Sequence, residues 1–300
     1  MVSKEMEEII RLLKSLQSNS ANTSIEELRN NADQAAEMIQ IPNDVKYEYI
    51  DIRGVPAAWV STPTSKKGRV IIYLHGGAYI LGSIKSARAL ILKFARISDA
   101  FILVVDYRLA PENPFPAGLE DILTIYKWLI ETEKVNPENV IIAGDSAGGG
   151  LAMATLVKLR DEGMALPAAG VVISPWADLT CSSESFRKRA KLEAWLTPEG
   201  LNYCANLYVR DNNPQNPYIS PVFADFRGLP PLFIQAGTSE ILYDDSVHLA
   251  ENAKSADIEV DLDIWEDLIH VFVAFVTPES QQATKKLEKF INKFFRHSKK

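Results

Sequence analysis

The sequence predicts an α/β protein whose β-sheet is mostly parallel and covered by helices on both faces. Short runs of strand-forming residues alternate with helical stretches over most of the chain, and this alternation is typical of parallel sheets whose strands are joined by helices. The runs 70–74 and 101–105 are continuously apolar, as expected for strands that are buried on both faces. A further strand-like run, 139–143, leads through Gly-Asp-Ser-Ala-Gly at 144–148 directly into a helical stretch at 149–159.

Two helices are predicted ahead of the first strand. Residues 5–17 place apolar side chains at helical spacing on one face. Ser24 precedes acidic residues as an N-cap would, which predicts a second helix up to about residue 38. Helices in this position of an α/β chain either pad the sheet or fold over its active edge. We assign residues 1–42 to N-terminal cap helices.

Strands and helices then alternate through residues 43–178, which form the first part of the α/β domain. From Val45 polar and apolar side chains alternate up to a turn at 54–56, and this pattern predicts an antiparallel hairpin at the edge of the sheet. Beyond the hairpin we expect strands at 70–74, 101–105, 140–143 and 170–174, and an amphipathic helix at 116–133.

The alternation stops between residues 179 and 212. This stretch has helical character and no predicted strand, so we interpret residues 179–212 as an insertion that forms the second part of the cap. Residues 213–300 are the second part of the α/β domain. They contain predicted strands at 231–236 and 259–265 and predicted helices at 244–255 and 278–296.

Composition and charge argue against several classes of protein. The 300 residues are 47% hydrophobic and 24% charged, which is typical of a soluble globular protein. A net charge of −7 without an evident basic face argues against a nucleic-acid partner, and we interpret the basic residues 293–300 as a solvated end. Cys181 and Cys204 make no disulfide framework, the N-terminus lacks the pattern of a signal peptide, and no apolar run reaches the ~18–20 residues of a membrane span. We therefore expect a cytoplasmic location.

Ser146 is the candidate nucleophile, at the tip of a sharp turn between a strand and a helix. Such a turn strains the backbone of its central residue and lifts the hydroxyl clear of the sheet. Gly144 and Gly148 supply the small residues that the close approach of strand and helix requires. The pattern alone also fits an ordinary glycine-rich turn, so the rest of the chain has to decide.

His270 is the candidate base, identified by elimination among four histidines. His75 ends a buried strand, His248 lies within a predicted helix, and His297 belongs to the basic tail. His270 follows the strand at 259–265 after a short loop, at the sheet edge where open α/β sheets hold their sites. It also comes after Ser146 in the chain, in the order nucleophile, acid, histidine.

An oxyanion requires backbone donors, and the loop that follows the strand at 70–74 offers them. Gly76, Gly77 and Ala78 can turn their N–H groups toward a substrate carbonyl. The N–H of Ala147, directly after the nucleophile, adds another donor. The alternative is a glycine turn that only links a strand to a helix, which leaves its co-occurrence with the serine motif unexplained.

Several further motifs accompany the serine. In chain order these are His-Gly-Gly-Ala-Tyr at 75–79, Asp-Tyr-Arg-Leu-Ala-Pro-Glu at 106–112, Phe-Pro-Ala at 115–117, Gly-Asp-Ser-Ala-Gly-Gly at 144–149, Ser-Pro-Trp at 174–176, Leu-Pro-Pro at 229–231 and His270. From about residue 45 onward the chain resembles the α/β-hydrolases of the hormone-sensitive-lipase family, the bacterial family IV esterases. The resemblance implies an α/β-hydrolase fold with an eight-stranded sheet, a helical cap and hydrolysis of carboxylic esters.

The chain departs from the family pattern at two places. The oxyanion loop of the family usually reads His-Gly-Gly-Gly, and here Ala78 replaces the last glycine. The family's acid usually lies in Asp-Pro-Leu, with another Asp shortly after. Alignment on Leu242 puts Glu240 at the usual Asp position and Asp244 at the later one. We predict Glu240 as the acid because it follows the strand at 231–236, with Asp244 as the alternative.

The resemblance and the motifs together imply two-step acyl transfer. The predicted site is Ser146, His270 and Glu240 with an oxyanion hole drawn from residues 76–78 and Ala147. It requires no cofactor and no metal. We expect a small ester with a short to medium acyl chain as the substrate, and a homodimer is compatible with the sequence. The alternatives are a hydrolase of activated amides, separable by substrate profiling, and a non-catalytic ligand-binding member of the fold, which the presence of His270 disfavours.

Residues around the predicted site have more than one interpretation. Asp106, Tyr107, Arg108 and Glu112 are expected to be scaffold, with the Arg and the Glu in an ionic network that holds the loops, and Asp145 is also expected to be structural. Five side chains of the cap are candidates to line the acyl or alcohol pocket, although packing of the cap onto the body explains them equally well: Phe186, Trp195, Leu196, Leu201 and Tyr208.

Overall fold

The computed structural model describes residues 2–17 and 23–296, so Met1, part of the predicted basic tail and His297 lie outside the described residues. The helices are α1 (Lys4–Gln17), α2 (Ile25–Glu37), α3 (Arg88–Ser98), α4 (Ala117–Glu131), α5 (Ala147–Asp161), α6 (Glu184–Lys188), α7 (Pro198–Val209), α8 (Tyr243–Ser255) and α9 (Pro278–Arg296). The strands are β1 (Lys46–Ile52), β2 (Val55–Ser61), β3 (Val70–Leu74), β4 (Phe101–Val105), β5 (Val140–Asp145), β6 (Ala169–Ile173), β7 (Leu232–Gly237) and β8 (Val260–Trp265).

The strands form one eight-stranded sheet in the order β1-β2-β4-β3-β5-β6-β7-β8. β1 pairs antiparallel with β2, β2 pairs antiparallel with β4, and every later pair is parallel. The predicted edge hairpin is present, but its turn consists of residues 53–54 instead of the predicted 54–56. Ile52 pairs with Val55, so the turn residues are Arg53 and Gly54, both with positive φ, as a two-residue hairpin turn requires.

Each face of the sheet carries its own apolar core. Alternate residues of a strand point to opposite faces, so Val70 and Ile72 of β3 pack on one side and Ile71 on the other. Helices α4, α5, α7 and α8 contribute to the first core, and α1, α3 and α9 contribute to the second. The α/β class and the mostly parallel, eight-stranded sheet predicted above are therefore confirmed.

Two regions differ from the expectations. α3 is not among the predicted elements, although Leu90, Ile91 and Phe94 lie at helical spacing and are buried. In the predicted cap insertion, helix α6 is only five residues long. Residues 189–197 between α6 and α7 are not helical. This irregular segment contains Glu193 and Trp195, and the ring of Trp195 lies next to that of His270. Across residues 2–17 and 23–296, none of the helices has the length and apolar character to cross a membrane.

Candidate active site

Ser146 lies between the end of β5 and the start of α5, with a backbone conformation of φ 52° and ψ −122°. A serine rarely adopts this conformation, which costs of order 1–3 kcal/mol. Neighbouring chain segments hold it in place. The N–H of Ser146 donates to the carbonyl of Ile173 at 2.9 Å, and the carbonyl of Ser146 accepts from the N–H of Trp176 at 2.9 Å. The turn is therefore held from the adjacent strand, as a strained functional residue requires.

The glycines that flank the serine allow α5 to lie against the sheet. A Cβ atom on Gly144 would lie 2.3 Å from the carbonyl oxygen of Gly148, and one on Gly148 would lie 2.1 Å from that of Leu74. These are backbone atoms, which cannot move aside as a flexible side chain can. The requirement for small residues at both positions, predicted from the motif, has a direct steric cause here.

Ser146, His270 and Glu240 form a continuous hydrogen-bonded chain. His270 Nε2 lies 2.9 Å from Ser146 Oγ, and His270 Nδ1 lies 3.0 Å from Glu240 Oε2. The three residues follow β5, β8 and β7, so they meet at the carboxyl edge of the parallel strands, where open α/β sheets hold their sites. A carboxylate only accepts hydrogen bonds, so Nδ1 carries the proton and Nε2 is free to accept one from the hydroxyl.

The Glu240 carboxylate is itself held in position. Its Oε1 accepts from Ser174 Oγ at 2.8 Å and from the N–H of Gly237 at 2.5 Å. Ser174 Oγ in turn accepts from the N–H of Val271 at 3.0 Å, next to His270. These bonds leave Oε2 to accept from the imidazole. Ser174 therefore connects the loop after β7 that carries Glu240 (the acid loop) with the loop after β8 that carries His270 (the histidine loop). The role of Ser174 was not predicted from its Ser-Pro-Trp motif.

Asp244, the alternative acid, makes different contacts. It lies in the first turn of α8, and its Oδ2 accepts from the N–H of Ser185 at 2.6 Å. The structure therefore brings Glu240, and not Asp244, against His270.

Charge around His270 favours its protonated form. Burial alone would lower the pKa of His270, but the hydrogen bond that His270 donates to Glu240 and the negative charges of Glu240, Glu193 and Asp145 outweigh burial and raise the pKa above its ordinary value. A base with a raised pKa accepts the serine proton more readily than a free imidazole does.

The predicted oxyanion donors are not equivalent. The N–H of Gly76 donates to Asp145 Oδ1 at 3.1 Å, so this predicted donor already has a partner in the structure. Within residues 2–17 and 23–296, no backbone hydrogen bond uses the N–H of Gly77, Ala78 or Ala147. These three N–H groups are therefore not used by the backbone of the described residues. Ala78 adopts a φ of 54°, a left-handed conformation that explains why glycine is usual there.

Asp145 holds the serine turn against the oxyanion loop. Besides accepting from Gly76, its Oδ1 accepts from the hydroxyl of Tyr73 at 2.6 Å. Burial raises the pKa of Asp145, although the Tyr73 bond and nearby histidines oppose the rise. Its contacts are with the scaffold, in agreement with the structural role expected from the sequence.

The predicted ionic network has different partners from those expected. Arg108 Nε bonds to Asp121 at 2.8 Å, while Glu112 pairs with Arg29 of α2 at 2.9 Å. Arg29 also donates to the carbonyl of Ile80 at 2.8 Å. Arg108 and Glu112 therefore belong to separate ion pairs. Arg29 joins α2 to the loop after β4 through Glu112 and to the loop after β3 through the carbonyl of Ile80.

The predicted cap side chains divide into two groups. Phe186, Leu201 and Tyr208 are buried in the core on the α5 side of the sheet and Leu196 packs against it, although Tyr208 also stacks on Tyr79 at 4.0 Å between ring centroids. In contrast, Trp195 lies edge-on to the His270 ring with centroids 6.3 Å apart. The charge of Glu193 also raises the pKa of this histidine, and no motif in the sequence points to Glu193. In the part of the chain that the structure describes, no group of three or more His, Cys, Asp or Glu side chains is arranged to hold a metal ion.

Comparisons with known proteins agree with this geometry. A family model described as the alpha/beta hydrolase fold matches residues 71–274. The chain is 39% identical over 285 residues to an acetyl-hydrolase of Streptomyces hygroscopicus, with 94% of each chain covered. It is also 34% identical over 266 residues to an esterase of Acinetobacter venetianus, with 88% of this chain and 87% of the relative covered.

Solved structures give the same result. The chain superposes on a crystal structure of an esterase from the bacterial hormone-sensitive lipase family with a TM-score of 0.93 at 38% identity, covering 98% of this chain and 99% of the other. A crystal structure of EstE5 soaked with ethyl alcohol gives the same TM-score of 0.93, also at 38% identity, over 98% of this chain and 99% of that one. The chain therefore belongs to the α/β-hydrolase family and, within it, to the hormone-sensitive-lipase group.

Proposed function

We propose that this chain, an ester hydrolase, cleaves short- to medium-chain carboxylic esters through a covalent acyl-serine intermediate. The observation that carries the proposal is the hydrogen-bonded chain from Ser146 through His270 to Glu240, with distances of 2.9 and 3.0 Å. Nucleophile, base and orienting acid are each within hydrogen-bonding reach of the next, as serine hydrolases require.

In the first half-reaction Ser146 Oγ attacks the ester carbonyl carbon while its proton moves to His270 Nε2. The N–H groups of Gly77, Ala78 and Ala147 stabilise the negative charge on the carbonyl oxygen. The bond from the carbon to the alkoxy oxygen then breaks, and His270 returns the proton to the leaving alcohol. Glu240 keeps the imidazole in the required tautomer and stabilises its cationic form.

In the second half-reaction a water molecule takes the place of the alcohol. His270 removes a proton from this water, the resulting hydroxide attacks the acyl carbon, and the proton is then returned to Ser146 Oγ as the acid leaves. The same donors serve both tetrahedral intermediates, because the oxyanion forms at the same place in each step.

The cap is part of this proposal. We propose that residues 1–42 and 179–212 roof the site over a catalytic domain formed by 43–178 and 213–300. The bond from Arg29 to the carbonyl of Ile80 supports this assignment because it joins α2 to the loop of the oxyanion donors, and the ion pair of Arg29 with Glu112 joins α2 to the loop after β4. The similarity to a relative named as an acetyl-hydrolase supports a short acyl group. A cytoplasmic location and a homodimer stay predictions.

Covalent labelling tests the nucleophile directly. We expect phenylmethylsulfonyl fluoride to inactivate hydrolysis of p-nitrophenyl acetate, because Ser146 Oγ forms a bond to sulfur, fluoride leaves and the proton passes to His270. Mass spectrometry of the digested protein should find a single modified site, in the peptide that contains Ser146. The exposed Ser182 serves as an internal control and should stay unmodified. Label on another serine, or full activity after complete labelling of Ser146, would contradict the proposal.

The pH dependence of kcat/KM follows from the state of His270. The neutral imidazole is the active base, so activity falls as the pH decreases through the pKa of His270. Because Glu240 and the other nearby carboxylates raise this pKa above its ordinary value of about 6.5, we expect the midpoint of the acid limb above pH ~6.5. Initial rates on p-nitrophenyl acetate across a buffer series measure this midpoint, and a value well below it would contradict the described environment.

A further inference from the structure

Trp195 is an exposed aromatic side chain next to a buried histidine. It keeps 47% of its surface accessible, while His270 is 3% exposed. Its ring lies edge-on to the imidazole, with a centroid separation of 6.3 Å and an interplanar angle of 77°. It also lies 6.0 Å from the ring of Phe275, which follows the histidine loop. We call Trp195 and Phe275 the aromatic rim.

The backbone beneath Trp195 is held by a buried carboxylate. Glu193 is 2% exposed, and its Oε1 accepts from the N–H groups of Ala194 and Trp195, both at 2.9 Å. Its Oε2 accepts from the N–H of Ile241 at 3.2 Å, directly after Glu240. Burying a charged carboxylate is costly unless it is well bonded, and here its bonds fix Trp195 relative to the acid loop.

Arg189 adds a second attachment between the same two segments. It donates a hydrogen bond to the carbonyl of Thr238, and its guanidinium lies 4.0 Å from the centre of the Tyr243 ring. Thr238 and Tyr243 flank the loop that carries Glu240. The segment that carries Trp195 is therefore attached to the acid loop on both sides of Glu240. These attachments fix the backbone that places the half-exposed Trp195 ring edge-on to His270. Packing of the cap does not require such exposure.

The chemistry of the proposed reaction determines which half of an ester meets this rim. His270 Nε2 has to return its proton to the leaving oxygen, which must come within about 2.6–3.2 Å of it. The carbonyl oxygen instead points to the N–H groups of Gly77, Ala78 and Ala147. The group attached to the leaving oxygen therefore lies near His270, whose ring has Trp195 as an edge-on neighbour.

We propose that the aromatic rim binds the alcohol part of the ester and makes the enzyme selective for esters of aryl or bulky apolar alcohols. This inference rests on the proposed function and adds the substrate class on the leaving-group side. An aromatic alcohol can pack against the edge or face of the indole, whereas a short alkyl alcohol leaves it exposed to water. Trp195 is thus a specificity-determining residue, and Glu193 is the positioning residue that holds it.

Matched esters test the inference because they separate the alcohol from the acyl group. Ethyl acetate and benzyl acetate share the acyl group, while benzyl butyrate lengthens only the acyl chain. We expect Trp195→Ala to lower kcat/KM for benzyl acetate and benzyl butyrate about tenfold and to change that for ethyl acetate less than about threefold. Trp195→Phe should keep most of the benzyl preference, because it keeps an aromatic ring.

Tyr49→Ala is the matched control, since Tyr49 is 64% exposed on the edge strand β1 and should affect none of the three esters. If Trp195→Ala lowered kcat/KM equally for ethyl acetate and benzyl acetate, the inference would be overturned and Trp195 would have a purely structural role beside His270. A loss that follows the acyl chain instead would also overturn it. In both cases wild-type hydrolysis of ethyl acetate leaves the proposed function standing, whereas a wild-type protein inactive on all three esters refutes both.

Discussion

Ser146→Ala is expected to lower kcat on p-nitrophenyl acetate by about 10⁶-fold, as removal of a catalytic serine does in related chemistry. The variant loses the atom that forms the covalent intermediate. The donors of Gly77, Ala78 and Ala147 remain, so a residual rate above that of water should persist. The effect should appear in kcat, because the contacts that bind the uncleaved ester are otherwise intact.

Stability measurements provide the control for this variant. Ser146 Oγ donates a hydrogen bond to His270, but the strained backbone at φ 52° is retained by alanine, so thermal unfolding should change little. Ser146→Gly should be inactive to the same degree and more stable than Ser146→Ala by about 1 kcal/mol, since glycine adopts positive φ without strain. A Ser146→Ala protein that is folded and keeps more than a hundredth of the activity would refute the proposed nucleophile.

Glu240→Gln is expected to lower kcat by about 10⁴-fold, the effect of the equivalent change in a well-studied triad. The amide can present an N–H group to His270 Nδ1, which favours the tautomer that cannot accept the proton of Ser146. It also removes the negative charge that stabilises the imidazolium. Because Glu240 is among the groups that raise the pKa of His270, the acid limb of the remaining activity should move to lower pH.

Asp244→Asn is the matched control for Glu240→Gln. Its carboxylate accepts from the N–H of Ser185 at 2.6 Å, and asparagine keeps an oxygen that can accept the same bond. We expect this variant to retain activity within about threefold and to keep the wild-type acid limb. If Asp244→Asn were inactive and Glu240→Gln active, the acid would be assigned to the wrong residue. Rates on p-nitrophenyl acetate, measured over the same pH series for both variants, decide between the two carboxylates.

Much of the fold and of the site follows from local patterns. Continuous apolar runs mark the buried strands because a parallel strand is covered on both faces. The serine motif predicts the need for small residues at Gly144 and Gly148, although the close contacts there involve Leu74 of β3 as well as the strand and helix that flank the serine. His270 could be selected by its position after β8, and Glu240 by its position after β7, since the carboxyl ends of parallel strands meet at one edge. Helix α3 shows the same kind of local pattern and was predictable in principle.

Other features depend on groups that meet from distant parts of the chain. The N–H of Gly76 appears free in the sequence, yet Asp145 accepts it because β3 and β5 are neighbours. The partners of Arg108 and Glu112 are Asp121 and Arg29, and no rule of spacing links them. Such pairings are decided by how distant segments pack in three dimensions, and a pattern in the linear sequence does not show this packing.

The sequence by itself determined the fold class, and it was enough to propose Ser146 as nucleophile, His270 as base and Glu240 or Asp244 as acid, because these residues occupy fixed places relative to strands and turns. Only the tertiary structure decided that Glu240 faces His270, that the N–H groups of Gly77, Ala78 and Ala147 make no backbone hydrogen bond within residues 2–17 and 23–296, and that Trp195 lies edge-on to the histidine. The physical reason is that hydrogen bonds and ring contacts act over a few ångströms in space. The groups that make them are separated by tens of residues in the chain, and only folding brings them together.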